Sequence, residues 1–324
     1  QNSDTTTTDG TSSTITQTGT SSAAAAQVDR SLLQQFAVLF SDGGGSGETN
    51  TRLAALSHVL ATSEEAVASG SSCVVFCETR AQCKTVAHFL TGCGASALPL
   101  HGDLEQRERE KSLVRFRNKS CRILVATNVA SRGLDVKEVA LVVCYELHPD
   151  VDVHVHRVGR TARAEQSGVA VSLVNTATTA TAATGGRQRG GGGVGGGELG
   201  RLEAIDVALG GEPIVRKTWK PPLPPSSQNN NHNNSGDTEE LRGWAAEWST
   251  VLVWGGRNDK LRPGDVLGAI SSPAVGLQGG QVGKIEVTDK YTWIAVQQSV
   301  AAQAAEGLGR TKIKKRKFRV HLIE

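Results

Sequence analysis

The stretch CRILVATNVASRGLDVKEVALVVCY, residues 121–145, decides the fold class. It contains two short apolar runs, CRILVAT and VALVVCY, on either side of a more polar segment. Short apolar runs bounded by polar segments predict strands that are buried on both faces. Such strands are typical of a parallel sheet that is covered by helices on both sides.

The same pattern continues before and after this stretch. CVVFC, SALPL and GVAVSLV predict further strands, and TRAQCKTVAHFL, EQREREKSLVRF and VDVHVHRVGRTAR predict helices between them. Strands that alternate with helices indicate an α/β fold, and we place this domain at residues 52–174. In such folds, ligands bind at the carboxyl ends of the strands.

Low-complexity sequence surrounds this domain. Residues 1–51 hold a Thr/Ser/Ala-rich segment and a glycine-rich break, which we interpret as the remnant of an interdomain linker. Residues 175–248 are interpreted as a low-complexity insertion, a helix and a Pro/Asn-rich linker. We expect these linkers to tether the neighbouring domains without fixing their relative geometry.

Residues 249–324 form a second compact unit. Their predicted order is β-α-β-β-α-β, which suggests a small α+β domain with a split βαβ arrangement. The net charge of the whole chain is only +3, but residues 261–324 hold ten Lys/Arg against five Asp/Glu. This local excess of positive charge indicates a nucleic acid or another acidic partner.

The six cysteines form no C-x-x-C pair, so we predict reduced structural thiols, an intracellular reducing compartment and no metal site. No segment approaches the ~20 apolar residues that span a bilayer, and we predict no membrane association. The chain begins with Gln and contains no Met, so we expect it to be a fragment or a processed piece.

Three motifs carry the candidate chemistry: LHGDLEQRER (100–109), ATNVASRGLDV (126–136) and HRVGRTAR (156–163). Each is predicted to lie at or just after a strand end, where α/β sheets hold ligands. Arg160 and Arg163 are three positions apart, so their side chains are neighbours on a helix. Two guanidinium groups side by side can bind a phosphate that carries more than one charge.

The middle motif adds three polar or flexible positions. Thr127 can donate its hydroxyl to a backbone phosphate, and Asp135 can accept a hydrogen bond from a sugar hydroxyl. Gly133 allows a ligand to approach the main chain closely. These residue types in this order favour a nucleotide or nucleic-acid site over an ordinary turn.

The motifs resemble those of the C-terminal RecA-like domain of superfamily 2 helicases of the DEAD-box type. VVFCETR, LHGDLEQRER, ATNVASRGLDV and HRVGRTAR resemble, in turn, the fourth motif, the His-Gly stretch with the Q-x-x-R element, and the fifth and sixth motifs. One departure is Asn128, where many members of the family have Asp.

This resemblance implies roles for individual residues. Arg160 and Arg163 would meet the γ-phosphate of ATP, and Gly133 and Asp135 would lie near the nucleotide ribose. The residues implied to contact the phosphates of single-stranded RNA are Thr79, Arg80, Gly102, Arg109 and Thr127.

The sequence contains neither a G-x-x-x-x-G-K-[ST] loop nor an Asp-Glu-Ala-Asp motif. The resemblance therefore implies that ATP with Mg²⁺ is bound mainly by an N-terminal RecA-like domain that is absent from this sequence. We expect this stretch alone to bind ATP weakly and to hydrolyse none. We expect the intact protein to do both when its two domains close.

The second unit resembles the RRM-like RNA-binding domain of the DbpA subgroup of DEAD-box helicases, through LRPGDVLGAI and GGQVGKIEV. This resemblance implies ribosomal RNA as the target and a role in assembly of the large ribosomal subunit. Tyr291 and Trp293 are two positions apart on a predicted strand and so share a face. They either stack on RNA bases or pack in a protein core.

The predicted phosphate-binding residues of this unit are Arg262, Lys284, Lys314, Lys315, Arg316 and Lys317. The basic run from Arg310 to Arg319, which also contains Lys312, has no interleaved acidic residue that could neutralise it, and this favours RNA binding. The alternative is a charged edge strand that merely faces solvent.

Together these features predict the C-terminal part of an ATP-dependent RNA helicase that acts as a monomer on ribosomal precursor particles. The alternative from another class is a non-catalytic RNA-binding protein that retains a RecA-like scaffold. A DNA helicase is a third interpretation. Arg160 and Arg163 favour the enzyme, because a scaffold has no use for a pair of phosphate-binding guanidinium groups.

Overall fold

A computed structural model of the chain describes residues 32–41, 48–63, 70–128, 139–162, 167–177, 197–210, 213–220 and 241–323. Two sheets organise these residues. A seven-stranded parallel sheet belongs to what we call the large domain, the described residues from 32 to 247. A four-stranded antiparallel sheet belongs to the tail domain, residues 248–323.

The strands of the large domain lie in the order β3-β4-β2-β5-β6-β1-β7. They are β1 (Leu33–Phe40), β2 (Ser72–Cys77), β3 (Ala97–Leu100), β4 (Ile123–Thr127), β5 (Val139–Cys144), β6 (Gly168–Asn175) and β7 (Val215–Thr218). The apolar runs CRILVAT and VALVVCY form β4 and β5, which lie on either side of β2.

Helices cover both faces of this sheet. They are α1 (Glu48–Ala61), α2 (Arg80–Gly92), α3 (Gln106–Arg117), α4 (Val151–Val158) and α5 (Glu198–Leu209). Val75 of β2 packs with Leu56 of α1 and Leu90 of α2, whereas its neighbour Val74 packs with Phe116 of α3 on the other face. The predicted fold class, a RecA-like parallel sheet with helices on both faces, is confirmed.

The sheet extends beyond the predicted domain of 52–174 at both ends. β1 pairs in parallel with β6 and with the edge strand β7, although it lies in the segment interpreted as linker. Trp244, also assigned to a linker, is fully buried, and its Nε1 donates to the carbonyl of Leu60 at 3.0 Å. These boundaries were too narrow because the pairing partners lie more than a hundred residues apart, beyond the range of a local pattern.

An ion pair buried in the large domain fastens α5 to this sheet. Arg52 of α1 donates through Nη2 to both carboxylate oxygens of Glu198 at 3.0 Å, and through Nη1 to the carbonyl of Tyr145 at 2.7 Å. Glu198 also accepts a hydrogen bond from the backbone of Asn175. The helix that follows the predicted insertion therefore belongs to the large domain.

The tail domain has the predicted β-α-β-β-α-β order. Its elements are β8 (Trp248–Val253), α6 (Pro263–Ile270), β9 (Val282–Val287), β10 (Thr292–Gln297), α7 (Ala301–Arg310) and β11 (Val320–Ile323). The strand order is β11-β8-β10-β9, and both helices pack on one face through residues such as Val266 and Leu308. The predicted small α+β domain is therefore confirmed.

All six cysteines are buried and unbonded. Burial raises the pKa of the Cys83 thiol to about 11 and that of Cys121 to about 12, which keeps both protonated at neutral pH. None of the described helices combines the length and apolar character that a membrane span requires.

Candidate nucleic-acid interface

Three neighbouring strands of the large domain end at the same edge of the sheet. In the parallel register, Cys77 of β2 lies beside Thr127 of β4, and Leu100 of β3 lies beside Ala126. The segments that follow these strand ends therefore come together. This edge, which we call the RNA edge, brings together the predicted residues Thr79, Arg80, Gly102 and Thr127.

The N-terminus of α2 organises one side of the RNA edge. Thr79 caps the helix, since its hydroxyl accepts from the backbone of Gln82 at 3.2 Å while the Gln82 side chain accepts from the backbone of Thr79 at 3.1 Å. The exposed guanidinium of Arg80 forms an ion pair with Asp103, in the loop after β3. This pair connects two of the segments that would contact RNA.

The other predicted RNA contacts differ in accessibility. Gly102 is exposed, and a Cβ added there would meet open space, so a ligand can approach the main chain. Arg109 is half-buried on α3, in the first turns of the helix. Thr127 is only 5% exposed, so its side chain lies within the sheet edge and not on its surface.

Arg157 has no role predicted from the sequence, yet it is a central residue of the site. Its buried guanidinium donates to the Asn128 side chain at 2.7 Å, to the Glu146 carbonyl at 2.9 Å and to the Glu78 carboxylate at 2.5 Å. The guanidinium also lies over the ring of Phe76, 5.5 Å from its centroid. Arg157 thus connects α4 to the ends of three strands.

Two titratable groups near Arg157 are shifted by burial. Burial raises the pKa of the Glu146 carboxyl, which accepts hydrogen bonds from the Glu78 backbone and the Gln82 side chain. Burial also lowers the pKa of His154 to about 4, with a smaller contribution from the charge of Arg157. His154 is therefore neutral at physiological pH, as expected of a packing residue.

The structure places Arg160 away from the RNA edge. It follows α4, and its neighbour Thr161 donates to the carbonyls of Val139 and Ala140, at the start of β5. The end of the motif therefore lies near the amino ends of the strands, whereas Arg157 of the same motif reaches the RNA edge; binding of the γ-phosphate by Arg160 stays a prediction. The reason for this separation is that α4 runs back across the sheet, which carries the end of its motif to the opposite edge.

Gly133, Asp135 and Arg163 lie outside the described residues. Their implied contacts with the ribose and the γ-phosphate remain predictions. Arg160 lies within the described residues and is partly exposed. Its guanidinium carries a fixed positive charge, which suits a phosphate group.

The tail domain contains a cleft of about 750 Å³ between the loop before α6 and strand β9. Glu286 and several apolar residues line this cleft. Four cationic side chains also line it: Arg257, Lys260, Arg262 and Lys314. Two of the predicted RNA-binding residues, Arg262 and Lys314, therefore face the same cavity. The third isolated prediction, Lys284, is exposed on β9 and lies 3.4 Å from Glu286.

The basic run forms a tight turn and not an edge strand. Ile313 and Arg316 exchange two backbone hydrogen bonds, and the central residues Lys314 and Lys315 have φ values of 51° and 66°. Left-handed backbone of this kind is unfavourable for residues other than glycine and asparagine. The residues from Lys314 to Lys317 are all exposed.

Acidic residues from other loops neutralise part of this run. Lys314 lies 3.1 Å from Asp265, and Arg316 lies 3.0 Å from Asp259. Within the described part of the chain, Lys315 and Lys317 have no acidic partner. The inference that nothing neutralises the run was therefore wrong for Lys314 and Arg316, because the neutralising acids lie outside the run.

Tyr291 and Trp293 share a face of the sheet, as predicted, but this face is covered. Trp293 is 7% exposed and packs with Leu252 of β8 and Val114 of α3, while the half-buried Tyr291 packs against it. The Trp293 ring cannot stack on an RNA base, because its faces are covered by these neighbours. The alternative of packing therefore describes Trp293.

Two known protein families match this chain, one within the large domain and one within the tail domain. Residues 51–165 match the family model of the helicase conserved C-terminal domain. Residues 250–322 match the family model of the DbpA RNA binding domain. The first match covers the RNA edge and Arg160, and the second covers the cationic cleft and the basic turn.

The chain thereby resembles the C-terminal part of the DbpA-type DEAD-box helicases. It is 42% identical to the ATP-dependent RNA helicase DbpA of Escherichia coli over 78% of the chain and 47% of that protein. It is also 48% identical to the ATP-dependent rRNA helicase rrp3 of Aspergillus oryzae over 32% of the chain and 22% of that protein. The chain thus spans about half the length of its DbpA relative.

A solved structure of the E. coli DEAD-box protein SrmB bound to regulator of ribonuclease activity A is similar in part. It is 26% identical, covers 58% of this chain and 91% of the SrmB chain, and gives a TM-score of 0.45.

In the helicase C-terminal domain, the functional residues that could not be assigned from the sequence are those that hold the motifs in place. Arg157 lies within HRVGRTAR, Glu78 within VVFCETR and Asn128 within ATNVASRGLDV. Their positions inside three separate motifs could have indicated these contacts. Motifs that meet at one sheet edge bring their side chains within hydrogen-bonding distance of each other. The Asn128 departure from Asp retains an oxygen acceptor for Arg157.

Proposed function

We propose that the protein containing this chain is an ATP-dependent RNA helicase that remodels structured ribosomal RNA during assembly of the large ribosomal subunit. The observation that carries this proposal is the joint occurrence of the helicase C-terminal domain and the DbpA-type RNA-binding domain. The chain is also 42% identical to a named RNA helicase over 78% of its length.

The large domain would supply cationic groups to the nucleotide. ATP with Mg²⁺ would be held mainly by an N-terminal RecA-like domain, and it supplies the phosphoanhydride whose hydrolysis drives remodelling. Arg160 and Arg163 would bind the γ-phosphate and neutralise its developing charge, an effect worth about 10³–10⁵ in turnover for arginine fingers. This stretch alone would bind ATP weakly and hydrolyse none.

The RNA edge would hold one strand of a short duplex through its phosphates. Backbone amides at the capped start of α2 and the open main chain at Gly102 suit a phosphate backbone. Because these groups contact no bases, this edge would not select a sequence.

Selection of ribosomal RNA would come from the tail domain, through the cationic cleft and the basic turn. Relatives named as rRNA helicases and the DbpA-type domain support this target. The six buried free thiols suit a reducing compartment, and we extend the proposal to an intracellular monomer that acts on ribosomal precursor particles.

The test is ATP turnover by the intact protein with three nucleic acids: a large-subunit ribosomal RNA fragment, an unrelated RNA of equal length, and DNA of the ribosomal sequence. We expect the ribosomal fragment to stimulate turnover most and DNA least. RNA binding without any stimulated turnover would instead identify a non-catalytic RNA-binding protein. Strongest stimulation by DNA would identify a DNA helicase.

A further inference from the structure

We propose that the sheet face of the tail domain is a docking surface for helix α3 of the large domain, so that the two domains move as one body. The docking surface consists of Thr250, Leu252, Trp254, Glu286, Tyr291, Trp293 and Ile323. The docking itself is independent of the proposed function. Its consequence for RNA, that bases do not stack on this sheet, rests on that function.

Strand alternation gives the tail sheet two different faces. Val251 and Val253 of β8 point into the core of the tail domain, where α6 and α7 cover them. Leu252, between them, points the other way and pairs with Trp293 of β10. No helix of the tail domain lies on this second face among the described residues, yet Leu252 is only 4% exposed.

Helix α3 provides the missing cover. Leu113 and Phe116 face the core of the large domain, whereas Val114 joins Leu252 and Trp293 in a separate apolar cluster. Val114 is 3% exposed, although it lies on a helix side that faces away from its own sheet. The two domains therefore share a small hydrophobic core of their own.

Polar contacts surround this cluster and fix its orientation. Arg117 donates to the Glu286 carboxylate at 3.0 Å, and the hydroxyls of Ser120 and Thr250 lie 2.6 Å apart. Arg107 lies over the ring of Trp254, 5.3 Å from its centroid. A buried hydroxyl pair and an ion pair require a single relative placement of the two domains.

The connection between the domains is short. Trp244 is anchored in the large domain through its bond to Leu60, and β8 begins at Trp248. Three residues span this interval, a reach of at most roughly 10–14 Å between the flanking residues. The tail domain is thus docked on the large domain. We had expected the linkers to join the two domains without fixing their relative orientation.

This docking has a consequence for RNA recognition. Helix α3 carries Arg109, a predicted contact of the RNA edge, on the same element that holds the tail domain. The RNA-binding groups of the tail are then those left open, in the cleft and at the basic turn. Their distance from the RNA edge is fixed, so an RNA must present its bound element and its duplex at a matching separation.

Nuclear magnetic relaxation on this chain tests the docking, with Val114→Glu as the variant and Val207→Glu as its control. Val114→Glu places a charge against Trp293 without altering the tail, whereas Val207 is 80% exposed on α5. We expect tail amides of the wild type and of V207E to tumble with the large domain. In V114E their rotational correlation time should fall at least about twofold.

The docking proposal fails if wild-type tail amides already tumble as a separate small domain. Should V114E not fold, charge reversal gives a second test. Arg117→Glu and Glu286→Arg should each loosen the tail, and the double variant should restore the slow tumbling. Loosening by both single variants without rescue in the double would also overturn the proposal.

A titration with a fluorescein-labelled RNA hairpin tests the consequence for RNA. Tyr291→Leu retains apolar bulk but removes the ring, and we expect the affinity to change by less than about twofold. Base stacking on this face would instead cost at least about fivefold. Failure of the wild-type chain to bind RNA at all would count against the proposed function and leave the relaxation result standing.

Discussion

The guanidinium of Arg157 donates to the Glu78 carboxylate at 2.5 Å, which joins α4 to the end of β2. Glu78 is followed directly by Thr79 and Arg80 of the RNA edge, and α4 leads directly to Arg160. A single ion pair therefore connects the element that would contact RNA with the element that would reach ATP.

This ion pair should stabilise the large domain measurably. The Arg157 side chain is 2% exposed and that of Glu78 is 27% exposed, so removal of the carboxylate leaves a buried charge with only neutral acceptors. We expect Glu78→Gln to lower the free energy of unfolding of this chain by roughly 2–3 kcal/mol. Urea unfolding at neutral pH measures it, with the exposed Glu105→Gln as the control.

A double-mutant cycle separates the pair from its surroundings. Combining Glu78→Gln with Arg157→Gln should cost less than the sum of the two single changes, by at least about 1 kcal/mol. Strict additivity would show that the two side chains do not interact in solution.

His154 should make the stability of the large domain sensitive to acid. Its pKa of about 4 in the folded chain is below the value of 6.5 expected when unfolded, so the unfolded state binds the proton first. Stability should be complete above pH 6.5 and decline as the pH falls towards 4, by roughly 3 kcal/mol in total.

His154→Leu should flatten this dependence, because the buried Nε2 has no partner among the described residues and leucine fits an apolar site. The exposed His156→Leu is the matched control and should leave the dependence intact. Urea unfolding at several pH values between 7.5 and 5 measures both. An equal acid sensitivity in H154L would show that another group is responsible.

The segment after the predicted insertion should be essential for the stability of the large domain. Glu198→Gln removes the partner of the buried Arg52 guanidinium, and we expect a loss of roughly 3 kcal/mol in urea unfolding. Glu203→Gln, on the exposed side of the same helix, should change stability by less than about 0.5 kcal/mol. Equal effects of the two variants would show that α5 is not docked through this ion pair.

Lys315 in the basic turn should lower the stability of the chain while its positive charge strengthens RNA binding. Lys315 has a φ of 66°, which asparagine tolerates better than lysine, so Lys315→Asn should stabilise the chain by roughly 0.5–1 kcal/mol. The same change should weaken binding of an RNA hairpin and reduce the salt dependence by about one charge.

Lys317→Asn serves as the control for this turn, because Lys317 has no positive φ. It should weaken RNA binding in the same way without any gain in stability. If K315N is more stable but binds RNA as well as the wild type does, the turn is not part of the RNA contact.

Local sequence patterns were sufficient for the elements that carry their own signal. The apolar runs of β2, β4 and β5 are buried on both faces, and burial of this kind needs only a short continuous run. The order of the tail elements was likewise visible, since each strand and helix is bounded by polar or glycine-containing turns.

Features that depend on distant residues could not be predicted. β1 contains Gln34 and Gln35 within its apolar run, and its place in the sheet depends on β6, which begins at Gly168. Burial of Trp293 depends on Val114 of another domain. Neutralisation of Lys314 depends on Asp265, which is close in space but far along the chain.

Arg160 provides the most direct test of the account, because the proposed helicase activity depends on its charge at the γ-phosphate. The measurement is RNA-stimulated ATP turnover by the intact protein with Arg160→Ala, at saturating RNA and ATP. The account predicts that kcat falls by about 10³-fold or more while hairpin RNA affinity is retained. An R160A protein that hydrolyses ATP at the unaltered rate would contradict it.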